Sequence, residues 1–73
     1  PKPEPDVFLE SAKRLKVEPQ YCLVIEDSIN GVKAAKNARM KCLAVTNTFT
    51  EDKLMEADYV VNNLSNFDVG WLK

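Results

Sequence analysis

At 73 residues with 45% hydrophobic side chains, the chain has the material for one small domain or a piece of a larger one, and it is too apolar for disorder. A chain this short buries only about 60% of its unfolded surface, so a complete fold of this size would be marginal. Ten basic and 11 acidic residues leave a net charge of −1, which gives no electrostatic reason to expect nucleic acid or an anionic membrane; no apolar run approaches bilayer-spanning length.

The Pro-Lys-Pro-Glu-Pro start holds the backbone extended and does not resemble a signal peptide. Pro5 and Asp6 suit the first turn of a helix, and Phe8, Ala12 and Leu15 recur at helical spacing, with Lys13, Arg14 and Lys16 near the C-terminal end. Residues 6–16 are therefore expected as an amphipathic helix, followed by a turn over 17–20. Tyr21–Ile25 is a continuous apolar run, the pattern of a strand buried on both faces. Ser28 or Asn30 can cap a second helix reaching about Ala38, with Val32 and Ala35 facing inward and Lys33 and Lys36 on its solvated side. Lys41–Val45 reads as a second buried strand and Thr46-Asn47-Thr48 as a polar loop. Thr50 is placed to cap a third helix with Glu51 and Asp52 in its first turn, and Tyr59–Val61 is a short third strand. Ser65 is a candidate cap for a short terminal helix, and Tyr59 and Trp71 are expected to pack on the core.

This alternation predicts an α/β fold with a parallel sheet and right-handed crossovers. A strand as apolar as Tyr21–Ile25 is normally central, yet only Lys41–Val45 is evident as its neighbour. The other edge would be open and hydrophobic, an aggregation hazard. The expectation is therefore that residues 1–73 form the C-terminal part of a larger domain whose N-terminal strands pair there. Cys22 and Cys42 each sit in an apolar run and are expected as buried, reduced thiols of a cytoplasmic protein, with a structural disulfide as the alternative. With no histidine in the chain, an acid or base would have to be a carboxylate, lysine or tyrosine, and zinc is disfavoured.

Glu26 and Asp27 fall where the first strand ends, the edge of an open α/β sheet at which ligands bind. Two adjacent carboxylates need a cation, and oxygen ligands without sulfur or imidazole favour Mg²⁺. The adjoining helix N-terminus favours an anion such as phosphate, so the pair points to phosphoryl transfer. The competing reading has Glu26 in solvent and Asp27 as a simple helix cap. Lys2, fixed between prolines, is a candidate positive charge for phosphate or a carboxylate nucleophile; the plain alternative is a solvated lysine. Thr46, Asn47 and Thr48 follow another strand's carboxyl end and can lie near the same crevice or form an ordinary loop.

The stretch "KPEPDVFLESAKRLKVEPQYCLVIEDSINGVKAAKNARM" resembles the C-terminal half of the haloacid dehalogenase superfamily, in the branch with β-phosphoglucomutase, phosphoglycolate phosphatase and related sugar-phosphate phosphatases. That branch reads K-P-x-P-D-x-F, a helix, an apolar strand and then E-D-S-x-x-G-V-x-A-A-x-x-A-G-M. The likeness runs from Lys2 to about Val45. It implies a Rossmann-like three-layer α/β/α core, of which this chain would be about half. It further implies Lys2 as the third-motif catalytic lysine, Glu26 and Asp27 as the fourth-motif acids holding Mg²⁺, and Ser28 and Asn30 as supporting residues. The family reaction is attack by an aspartate on a small, sugar-type phosphate ester, giving an aspartyl-phosphate that water or a second hydroxyl discharges.

The departures from the pattern carry their own expectations. No D-x-D sequence occurs in the chain, so the nucleophile and the substrate-selecting cap would lie in a missing N-terminal half, and the chain alone would be inactive. Arg39 stands where the family's A-G-M has glycine, in a position that calls for a left-handed residue. Two other readings are a non-catalytic remnant or split piece that pairs with another chain, and a receiver-type signalling domain. In receivers the acidic pair precedes the lysine, whereas here Lys2 comes first.

Overall fold

The structure is a computed structural model and describes residues 4–72. Its elements follow the expected alternation: α1 (Asp6–Leu15), β1 (Leu23–Glu26), α2 (Ile29–Asn37), β2 (Lys41–Val45) and β3 (Tyr59–Val61), joined by short 3₁₀ turns. The strands form one sheet in the order β1-β2-β3, and both pairings are parallel. Val24 pairs with Cys42 and Glu26 with Ala44, while Val45 pairs with Val61. The Rossmann-like α/β reading from the sequence therefore holds for the described part.

The period of two along β2 divides the core. Cys42 and Ala44 point to one face, where they meet Val24 of β1, Val32, Ala35 and Ala38 of the α2 region, Ala12 of α1, and Leu54. Leu43 and Val45 point to the other, with Val61, Leu23 and Phe67. Both helices thus serve one face. The other is covered, among the described residues, by the C-terminal tail, whose Phe67 and Trp71 form an aromatic cluster with Tyr59 of β3, ring centroids 5.3–5.8 Å apart. The Tyr59 hydroxyl donates to the Trp71 carbonyl at 2.8 Å. β2 is buried on both faces, as its sequence predicts. β1 is not: Val24 is buried but Ile25 is 53% exposed, and the strand's outer edge has no partner among the described residues.

Both helices end in the same device. Beyond α1, Lys16 has φ 58°, with Val17 N donating to Ala12 O and Lys16 N to Lys13 O, each at 3.1 Å. Beyond α2, Arg39 has φ 63°, with Met40 N donating to Ala35 O at 3.1 Å and Arg39 N to Lys36 O at 3.0 Å. These are Schellman closures, completed at α2 by the buried pair Met40 and Ala35. Arg39 is left-handed, as its place in the glycine position predicts. Lys16 was not foreseen, because nothing about a lysine signals that conformation.

Four expectations need correcting. The first strand begins at Leu23, because Pro19 seeds a 3₁₀ turn over Pro19–Tyr21 that leaves Tyr21 76% exposed. The third helix is only a 3₁₀ turn, Glu51–Lys53, and Thr50 caps no backbone group; its hydroxyl instead bonds the Asp52 carboxylate. Before β3, only Leu54, fully buried, and half-buried Ala57 follow the turn as inward-facing apolar residues, too few to bury an α-helical face, and so short a segment repays helix nucleation poorly. In the tail the cap is Asn63, not Ser65: Asn63 accepts from Ser65 N at 3.0 Å at the start of the turn Leu64–Asn66. Finally, Lys36 is no simple solvated lysine. Its Nζ donates to Asp58 Oδ2 at 2.7 Å and to the Met40 carbonyl at 3.2 Å, while the same Asp58 oxygen accepts from Cys42 N at 2.7 Å. Asp58 so ties α2, the start of β2 and the approach to β3. Burial pushes its carboxyl pKa up, but the hydrogen bonds from Lys36 and Cys42 and the charges of Lys36 and Lys41 outweigh that and hold it below its ordinary value.

Candidate active site

β1 pairs in register through Glu26, and its alternation puts the Glu26 side chain on the same face as Val24, under α2. There the carboxylate folds onto the helix start. Glu26 Oε1 accepts from the Ser28 hydroxyl at 2.8 Å and from the backbone N–H groups of Asp27 and Ser28 at 3.3 Å each. The Ser28 Oγ in turn accepts from Gly31 N at 2.9 Å, making Ser28 the N-cap of α2. A carboxylate at this end also meets the positive end of the helix dipole. Gly31 is what makes room: a Cβ there would overlap the Glu26 side chain. The sequence signal for this contact is a glycine inside an otherwise good helix, where it would ordinarily weaken the structure.

Asp27 projects from the next position and is exposed. Its Oδ2 accepts from the Thr48 hydroxyl at 3.3 Å, so the loop after β2 reaches the acidic pair. Of the loop's two readings from sequence, the structure gives the first. An open crevice of about 450 Å³ lies along the carboxyl edge of the sheet, lined by Ile25, Glu26, Asp27, Val45, Asn47, Asn62, Asn63 and Leu64. Asn62 and Asn63 were not singled out by sequence; an Asn-Asn pair just past β3 reads only as a turn.

The remaining candidates divide cleanly. Ser28 is the cap of α2. Asn30 lies one residue further into α2, exposed, and does not cap the helix. Lys2 lies outside the described residues. Both cysteines are free, and Cys42 is poorly suited to nucleophilic work: burial, with help from the Asp58 and Glu26 charges, raises its thiol to about 11. Its reactive thiolate is therefore scarce at neutral pH.

The donor chemistry at the crevice is oxygen only. No group of three or more acidic or cysteine side chains able to hold a metal occurs among the described residues. Two carboxylates nonetheless fit Mg²⁺, which keeps several waters and is usually bound through one or two carboxylates plus phosphate oxygens. They do not suit zinc or copper, which favour sulfur or imidazole, whereas Mn²⁺ shares the preference of Mg²⁺ for oxygen.

The sequence model of the haloacid dehalogenase-like hydrolases matches residues 1–39. Among characterised proteins, the chain is 53% identical over 64 residues to a bifunctional riboflavin kinase/FMN phosphatase of Arabidopsis thaliana, covering 86% of this chain and 17% of that protein. It is 48% identical over 44 residues to hexitol phosphatase B of Escherichia coli, covering 60% of this chain and 20% of that protein. Among solved structures it superimposes on the β-phosphoglucomutase of Clostridium difficile with a TM-score of 0.85 and 35% identity, covering 99% of this chain and 31% of that one. The chain thus spans less than a third of the length of each of these relatives.

Proposed function

The chain belongs to the haloacid dehalogenase-like hydrolase family, and on that premise we propose that it is the metal-binding portion of a Mg²⁺-dependent phosphatase or phosphomutase acting on small, sugar-type phosphate esters. The phosphatases and the phosphomutase among its relatives support this class of reaction. One observation carries the reading: Glu26 and Asp27 leave the carboxyl end of β1 on the rim of an open crevice, beside the capped N-terminus of α2. A cation-binding pair and an anion-attracting helix end lie together there, the combination phosphoryl transfer requires.

In this reading Asp27 would hold the metal directly and Glu26 would contribute directly or through a water, while its Oε1 accepts from Ser28. The chemistry Mg²⁺ supplies when bound is neutralisation of charge on the transferring phosphoryl group. Lys2 adds positive charge beside the nucleophile and that group. The attacking aspartate comes from an N-terminal part of the same protein, so residues 1–73 alone have no activity. A reducing compartment such as the cytoplasm suits the two free thiols.

The test uses the intact longer protein, p-nitrophenyl phosphate and a panel of sugar phosphates. Hydrolysis is expected to disappear with EDTA and return with Mg²⁺. Asp27→Asn is expected to lower kcat/KM at least about a hundredfold, the scale on which removing one electrostatic stabiliser acts. An Asp27→Asn enzyme as active as the parent would sink the assignment.

A further inference from the structure

We infer that Thr48 is a positioning residue for Asp27, fixing the carboxylate in the orientation that receives the metal; the inference rests on the function proposed above. Asp27 is exposed and follows the last residue of β1, so its own element does little to hold its side chain. The contact that orients it comes from across the sheet: the Thr48 hydroxyl donates to Asp27 Oδ2 at 3.3 Å, over 21 positions of sequence. A donor on one carboxylate oxygen leaves the other available, and it selects one rotamer from several.

The Thr48 loop is itself anchored on both sides. Before it, Thr46 N donates to Val61 O at 3.0 Å, extending the pairing of β2 with β3 beyond Val45. After it, Phe49 packs against the main core cluster. Between these anchors Asn47 lines the crevice beside Asp27. The hydroxyl of Thr48 is therefore presented by a short segment tied to the sheet and to the core. In the sequence these residues read either as neighbours of the crevice or as an ordinary polar loop; the two fixed ends make the loop a support.

The test follows Mn²⁺ binding by electron paramagnetic resonance in the intact protein, without substrate, together with the Mg²⁺ dependence of p-nitrophenyl phosphate hydrolysis. Thr48→Val keeps the shape and removes the donor; it is expected to weaken Mn²⁺ binding about tenfold, at the low end for loss of a group that orients a metal ligand. It should raise the Mg²⁺ concentration needed for half-maximal rate in parallel. Thr48→Ser keeps the hydroxyl and is expected to bind within about twofold of the parent, as a restored donor should. Asp27→Asn is the reference for the underlying assignment. If Asp27→Asn loses Mn²⁺ binding while Thr48→Val binds like the parent, the inference fails and the metal site stands. If Thr48→Ser is impaired as much as Thr48→Val, the hydroxyl is not what matters and the inference fails likewise. If Asp27→Asn itself binds Mn²⁺ like the parent, the assignment of the site fails and takes the inference with it.

Discussion

Gly31→Ala separates the two roles of the close approach between β1 and α2. Alanine is the better helix former, by about 1 kcal/mol in a helix interior, so propensity alone predicts a gain. The added Cβ, however, would overlap Cγ, Cδ and Oε1 of Glu26, well inside the roughly 3.5–4.0 Å of ordinary carbon contact. Glu26 is the flexible partner and must swing away. It then loses the hydrogen bond from the Ser28 hydroxyl and those from the Asp27 and Ser28 amides. A hydrogen bond to a charged group contributes about 1.5–3 kcal/mol, with part recovered from water at this half-buried site. The net expectation is a loss of about 1 kcal/mol, read as a lower urea midpoint at unchanged slope in the intact protein. The decisive measurement is the same substitution in a Glu26→Ala background. With the overlap removed, Gly31→Ala should stabilise by about 0.5–1 kcal/mol, reversing the sign. An equal effect of Gly31→Ala in both backgrounds would refute the packing of Glu26 over Gly31.

Arg39→Gly is expected to stabilise the protein by up to about 1 kcal/mol, because a left-handed arginine carries a penalty of about 1–2 kcal/mol that glycine avoids, less the glycine's greater unfolded-state entropy; denaturant titration reads it directly. For Asp58 the sign follows from a folded pKa held below the unfolded one. Its stabilising contribution is fully present above the unfolded value, about 3.9, and is lost as pH falls through the folded one. Asp58→Asn should therefore destabilise at pH 7, by about 1 kcal/mol for the lost charge on the Lys36 and Cys42 hydrogen bonds. It should also flatten the acid limb of the stability curve, with the difference from the parent vanishing at the lowest pH. Cys42, fully buried and with its thiol near 11, should react with iodoacetamide at neutral pH only under denaturant, while half-buried Cys22 reacts first; mass spectrometry of the labelled peptides distinguishes them.

What the sequence disclosed, and what it withheld, divides by the range of the interaction. β2 was readable because four consecutive residues, Cys42 to Val45, point alternately into one core or the other, and the Ser28 cap because its partner is three positions away. Arg39 was readable because it occupies a position where the family pattern has glycine. The third helix failed where short-range signals conflicted: Glu51 and Asp52 look like a helix start, but the apolar residues that follow are too few to bury an α-helical face. The place of Glu26 and Asp27 at the end of a strand was readable and their contacts were not. Glu26, Asp27 and Ser28 are adjacent in sequence, whereas the bonds that organise the surroundings run from Thr48 to Asp27 and from Asp58 back to Lys36 and Cys42. No local pattern encodes pairs that distant; the sheet brings them together by setting β1 beside β2 and β2 beside β3.

The position of Glu26 has one more consequence, for folding. It is a rung of the β1–β2 ladder, opposite Ala44, and its carboxylate also accepts from the hydroxyl of Ser28, the cap of α2. Sliding β1 by one residue against β2 would turn every side chain of the strand to the opposite face. Ile25 would then face Gly31, and the carboxylate would be on the side away from Ser28. The capping Ser28 would lose the carboxylate that accepts its hydroxyl in the same event that misaligned the sheet. Correct strand alignment and a closed helix start are thus a single cooperative condition, and a misaligned intermediate would expose the fault at the end of the strand where the acidic pair must form.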